Sequence, residues 1–157
     1  MAKVLIAYAS ATGNTEKMAK LIAEGAERAG AELILKRIAE VDASDLPEYD
    51  AIVIGSPTYY GSPAAEVRKL FDESVKYHGQ LEGKVGAAFS SSANIGGGNE
   101  TTILAILQSM LIHGMVVRGN SKGDHYGPVS INAPDARVDK QCRELGRRVV
   151  ELTDRLS

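Results

Sequence analysis

The sequence is poor in the residues that mark several large protein classes. It has one cysteine, Cys142, and no tryptophan. A lone cysteine builds neither a disulfide framework nor a CxxC pair, which points to a reducing compartment. The chain enters a strand at once, without a signal-peptide pattern, so the expected location is the cytoplasm. Only three histidines occur, and His78, His113 and His125 lack metal-ligand spacing. No apolar run approaches the ~20 residues of a membrane span. Neither sign of charge dominates: 18 basic and 20 acidic residues are interleaved, for a formal net charge of −2. That balance argues against a nucleic-acid footprint or a basic membrane face. The 157 residues suffice for one domain, 1–157, to bury a core without disulfides or a structural metal.

What is present alternates regularly. Lys3–Tyr8 is a near-continuous apolar run, as in a strand covered on both faces. Asn14 to about Ala29 carries an apolar stripe at helical spacing and stops at Gly30. Further strands are expected at Glu32–Ile38, Asp50–Gly55, Lys84–Ser90 and Met115–Arg118. Helices are expected from Pro63 to about Tyr77, from Asn99 to His113, and from Pro134–Asp135 onward. The segment from 119 to Ala133 reads as irregular and polar. Cys142 lies on the apolar stripe of the last helix, which predicts a buried, inert thiol.

Five strands alternating with helices predict an α/β fold: a doubly wound parallel sheet with helices on both faces. The ligand of such a sheet lies beyond the carboxyl ends of its strands. The loops to inspect are therefore 9–15, 56–62, 90–99 and 119–128.

The first loop, SATGNT at 10–15, leads from the first strand into a helix. The hydroxyls of Ser10, Thr12 and Thr15, the Asn14 amide and the first helical N–H groups can converge on one anion, with the helix dipole in support. It has too few glycines for a dinucleotide fingerprint and no lysine for a nucleoside triphosphate. Neutral donors alone suit one phosphate monoester. The second loop, GSPTYYGSP at 55–63, offers Tyr59 and Tyr60 on a backbone shaped by proline and glycine. The third, SSSANIGGGNE at 90–100, has three successive glycines and no charge before Glu100. Glycine weakens the structure it sits in, so backbone approaching a ligand is the expected reason for the run.

A ribityl phosphate carrying a flat heterocycle meets all three demands, and here the chain resembles the flavodoxin-like family. Ser10, Ala11, Thr12, Gly13, Asn14 and Thr15 match its phosphate loop. The motifs GSPTYYG, LEGKVGAAFSSS, GGGNETT, HGMVV and HYGP resemble most nearly the short flavodoxins and the WrbA-type NAD(P)H:quinone oxidoreductases within it. The resemblance implies a flavodoxin-like five-stranded sheet of order 2-1-3-4-5 and FMN as cofactor. It also implies ring contacts from Pro57, Thr58, Tyr59, Tyr60 and Gly61, and from Ser91, Ser92, Ala93, Asn94, Ile95, Gly96 and Gly97. By the same resemblance His113 contacts the flavin and Tyr126 stands near the ring. From spacing alone His113 is simply a cation closing a helix.

Two functions share such a site. One is an electron carrier that docks on redox partner proteins. The other is a reductase passing hydride from NAD(P)H through FMN to a quinone. Exposed tyrosines also leave room for a homo-oligomer.

Overall fold

In the computed structural model, which describes residues 1–157, the run KVLIAY forms β1 (Lys3–Tyr8), an inner strand of a parallel sheet. Its apolar residues divide by parity, because successive side chains in a strand point to opposite faces. Val4 and Ile6 enter a core with Met18, Ile22, Val138 and Val149, on the side of α1 (Asn14–Arg28) and α4 (Ala136–Leu156). Leu5 and Ala7 enter a second core with Val67, Leu70, Ile103 and Met110, on the side of α2 (Ala65–Glu73) and α3 (Asn99–Ile112). This is why β1 reads as uniformly apolar: both faces are covered.

β2 (Glu32–Arg37), β3 (Ala51–Pro57), β4 (Val85–Ser92) and β5 (Val116–Val117) complete the order β2-β1-β3-β4-β5, all parallel. The fold is the flavodoxin-like one, with two helices on each face. Central strands β1, β3 and β4 are buried along almost their whole length, whereas edge strand β2 alternates toward solvent.

Glycines permit close contact between the two helices of one layer. A Cβ on Gly146 of α4 would lie 2.1 Å from the Ile22 carbonyl oxygen, and one on Gly25 of α1 would lie 2.1 Å from that of Arg143. The two helices therefore meet backbone to backbone. Cys142 is fully buried in this layer, and burial pushes its thiol up to about 12, as expected of an inert cysteine.

The expected fifth strand needs correcting. Only Val116–Val117 pairs with the start of β4; the chain then leaves the sheet and returns as β6 (Val129–Ile131), pairing with Ser90–Ser92 at the other end of β4. Two short strands thus share one edge position, and part of the segment read as irregular belongs to the sheet. An excursion, residues 118–128, bulges between them. It is pinned by Asp124, whose carboxylate accepts from Val129 N–H at 2.9 Å and pairs with Arg137 at 2.8 Å.

Other boundaries shift modestly. α2 starts at Ala65, since Pro63 and Ala64 remain outside the helix, and its last turn tightens into a 3₁₀ segment at Ser74–Tyr77. The polar connection after β2 holds two 3₁₀ segments, Ile38–Glu40 and Ala43–Glu48. Ile38 and Leu46 there are buried against the α2–α3 core. No helix is long and apolar enough to cross a membrane.

Candidate functional site

Parallel strands bring the ends of β1, β3 and β4 side by side, so the three loops adjoin. Ala9 N–H donates to the Gly55 carbonyl at 3.0 Å, and Thr58 N–H to that of Ser91 at 2.9 Å. Side-chain hydroxyls stitch the same level. Ser90 Oγ donates to the Ser56 carbonyl at 2.8 Å and Thr58 Oγ1 lies 2.9 Å from Ser90 Oγ. With the Ser90 proton used on Ser56, Thr58 is the donor of that second bond. Thr15 Oγ1 lies 2.8 Å from Ser91 Oγ in a buried pair.

The first loop presents a cluster of free N–H donors. Gly13 enters α1 at φ 94, a left-handed conformation that glycine adopts freely. Ser10 Oγ accepts from Gly13 N–H at 3.1 Å and, more weakly, from Glu16 N–H at 3.4 Å. The N–H groups of Ala11, Thr12, Asn14 and Thr15 have no acceptor within the protein, and the N-cap residue, Gly13, has no side chain to offer them. Free donors at a helix start favour an anion. Ser10, Thr12 and Asn14 present their side chains beside them at least partly exposed, whereas Thr15 is 1 % exposed. Its hydroxyl therefore belongs to the Ser91 contact, a role that spacing could not separate from ligand binding.

The second loop is a tight turn. Tyr59 and Ser62 exchange N–H to carbonyl bonds at 2.9 and 3.1 Å, with Tyr60 at φ 51 and Gly61 at φ 77. Two successive positive φ values define a type I′ turn, which ordinarily carries Asn-Gly. A tyrosine at φ 51 is strained, and the strain presents Tyr60 wholly to solvent with Tyr59 about half exposed beside it. Pro57 ends β3 below them.

The glycines of the third loop have separate duties. Gly96 takes φ 67 with open space around it, and Gly97 N–H donates to the Asn94 carbonyl at 3.1 Å. Gly98 packs on the second loop: a Cβ there would lie 2.5 Å from Gly61 Cα. Thr101 Oγ1 closes the junction, lying 2.7 Å from the Gly61 carbonyl oxygen and 2.9 Å from that of Gly98. So one of the three glycines serves loop-to-loop packing rather than a ligand. Ser92 and Asn99 fix the loop from beneath through a 2.9 Å bond, while Ala93, Asn94 and Ile95 stand exposed. Thr58 is marked in the sequence only through the resemblance; neither Thr101 nor the Ser56–Ser90 link that holds Thr58 is singled out there. The run of hydroxyls at the ends of β3 and β4 is the signal that could have found them.

Tyr126 does reach this end of the molecule. It borders a cleft of ≈ 230 Å³ with Ile95, Gly96 and Glu100 on the far side of the third loop. His113 does not. α3 begins at the third loop and runs the length of the sheet, about 21 Å at 1.5 Å per residue. His113 caps its far end, where Gly114 bonds to Gly83 at the start of β4. There its ring is buried, with Nε2 2.8 Å from Ser74 Oγ and the His78 ring centroid 5.7 Å away. Ser74 spends its proton on the Phe71 carbonyl, so His113 Nε2 carries the hydrogen and Nδ1 is a bare lone pair without a partner. Burial, with His78 second, holds the His113 pKa below its usual value. It is a neutral buried ring and not a cation on the helix dipole.

Unpartnered N–H groups, neutral hydroxyls and adjacent exposed aromatics fit a flavin phosphate with its ring. The fold and the loops together define a flavin-dependent redox protein of doubly wound α/β architecture. The flavodoxin family model matches residues 6–153, and the chain belongs to that family; its cofactor is FMN. A flavodoxin of Aquifex aeolicus is 39% identical over 160 residues, covering 96% of this chain and 86% of its own. An NAD(P)H dehydrogenase (quinone) of Sinorhizobium fredii is 45% identical over 141 residues, 76% of this chain and 71% of that one. Among solved structures, the WrbA-like flavodoxin from Agrobacterium tumefaciens superposes with a TM-score of 0.84 at 26% identity, covering all of both chains.

Proposed function

We propose that this protein carries electrons between partner proteins, with FMN held by its own three loops. Ser10, Thr12 and Asn14, with the N–H groups of Ala11, Thr12, Asn14 and Thr15, take the phosphate. Pro57–Gly61 and Ser91–Gly97 hold the ring, with Tyr126 bordering the third loop from outside. Bound FMN supplies uptake and release of electrons, while the chain sets binding, orientation and access. The observation that carries the reading is the outward display of Tyr59, Tyr60 and Ile95 around the loops, apolar area suited to transient contact with another protein.

A second reading is supported by the cleft between Ile95–Gly96 and Tyr126. It offers a small molecule a place beside the third loop, as a reductase acting on NAD(P)H and a quinone requires. The test separates the two. FMN-loaded protein is mixed without oxygen with NADH or NADPH and a benzoquinone, and separately, after chemical reduction, with cytochrome c. A carrier reduces cytochrome c quickly and is not bleached by either nucleotide at catalytic rates. Rapid nucleotide-driven turnover with the quinone assigns the reductase function instead.

A further inference from the structure

Glu16 stands in the first turn of α1, on the helix end that the first loop turns into an anion cradle. A carboxylate there competes with a phosphate for the same dipole and repels it. Its two oxygens are both occupied. Oε1 lies 3.3 Å from Lys20 Nζ and Oε2 2.9 Å from Arg37 Nη2. Arg37 ends β2, directly opposite Tyr8 in the register of β1. Besides Glu16, its guanidinium reaches the Ser10 carbonyl with a long 3.4 Å bond from Nη1, and lies 5.5 Å from the Tyr8 ring centroid. One planar fork therefore grips the backbone of the phosphate loop and the one carboxylate in the opening turn of its helix.

An isolated surface pair would contribute little. This pair is placed to do something more specific, and we infer that Arg37 is a positioning residue that sets the preference of the loop for a phosphorylated over an unphosphorylated flavin. It holds Ser10 in its cradle conformation and keeps the Glu16 charge neutralised and turned away from the anion. The inference rests on the reading that residues 10–15 take the FMN phosphate.

The experiment titrates apoprotein with FMN and with riboflavin, following flavin fluorescence, and takes the ratio of the riboflavin dissociation constant to the FMN one. Arg37→Ala is expected to lower that ratio about tenfold, through weaker FMN binding alone, with riboflavin affinity held within about twofold. Arg37→Lys, which keeps the charge but not the fork, recovers part of the loss. Adding Glu16→Gln to Arg37→Ala recovers part as well, and Glu16→Gln alone raises the ratio. Each effect shrinks as salt is added. Thermal melting of the apo variants monitors folding, and Arg37→Lys with Glu16→Gln carries the test if Arg37→Ala does not fold. A wild-type preference for FMN that none of these variants alters overturns the role of Arg37, as does an equal loss for both flavins. A wild-type protein that binds FMN and riboflavin equally overturns the phosphate reading itself, and the inference with it.

Discussion

Under the proposed ring contact from Pro57–Gly61, Tyr60 is the residue at which stability and ligand binding conflict most directly. Its φ of 51 belongs to asparagine or glycine, and a bulky side chain there costs on the order of 1 kcal/mol or more. Tyr60→Asn removes the strain and the aromatic surface together. The apoprotein should gain about 1 kcal/mol in denaturant unfolding, while flavin binding should weaken by the ~1 kcal/mol of a lost stacking contact. FMN and riboflavin should lose equally, because the ring and not the phosphate is affected. A variant that is both less stable and no weaker in binding would refute the strain account. His113 gives a pH prediction at the same scale. Its folded pKa lies below the ordinary 6.5, so the unfolded chain binds the extra proton first as pH falls. The stability contributed by the neutral ring is present above about pH 6.5 and is lost as pH drops through the depressed folded value. His113→Gln, which keeps a donor toward Ser74, should flatten the stability profile as pH falls below about 6.5 in urea titrations. An unchanged slope would mean that other groups govern it.

At the scale of elements, the contact between the second and third loops depends on the absence of side chains. Gly98→Ala places a Cβ 2.5 Å from Gly61 Cα, on backbone at φ +97, so neither position can yield cheaply. The expected cost is about 1–3 kcal/mol in thermal or denaturant melts, with flavin affinity falling as the loops part. Gly96→Ala meets nothing within 4 Å and should show the φ strain alone. A larger loss at Gly96 than at Gly98 would contradict this packing. The same comparison shows what sequence reasoning can reach. Strands β1, β3 and β4 are legible because burial on both faces leaves an apolar run. β6 is not, because VSI is three residues long and lies among polar ones. The tripled glycine is legible as close approach, but not which neighbour approaches. His113 could have been placed by topology: a crossover helix starts at the carboxyl ends of the strands and finishes at the amino ends, away from its own loops. Arg37 was within reach by the same logic, since order 2-1-3 sets the end of β2 beside the end of β1.

On the scale of the whole molecule, the three loops proposed to hold FMN and the cores are nearly separate structures. Both hydrophobic cores are built mainly from the strands, the helices and the connection after β2, with Ala2, Ala64, Leu81 and Met115 from elsewhere; of residues 9–15, 57–62 and 91–98, only Ala9 joins either one. The sheet and its helices therefore have their full apolar burial without flavin, and the apoprotein should keep the far-UV circular dichroism of the holoprotein. Binding to the folded state alone adds stability by mass action, about 4 kcal/mol when free FMN stands at 1,000 times its Kd. The melting temperature should accordingly rise with FMN concentration, while the structure that melts stays the same. Hydrogen exchange distinguishes this from cofactor-driven folding. FMN should slow exchange within the fast-opening loops, at the Ala11, Thr12, Asn14 and Thr15 amides and across 57–62 and 91–98. Central β1, β3 and β4 should exchange only by global unfolding even in the apoprotein, and there any added protection should equal the gain in global stability. If instead the apoprotein exchanges its central strands rapidly, the cores require the cofactor, and the separation of scaffold from site that the packing implies is wrong.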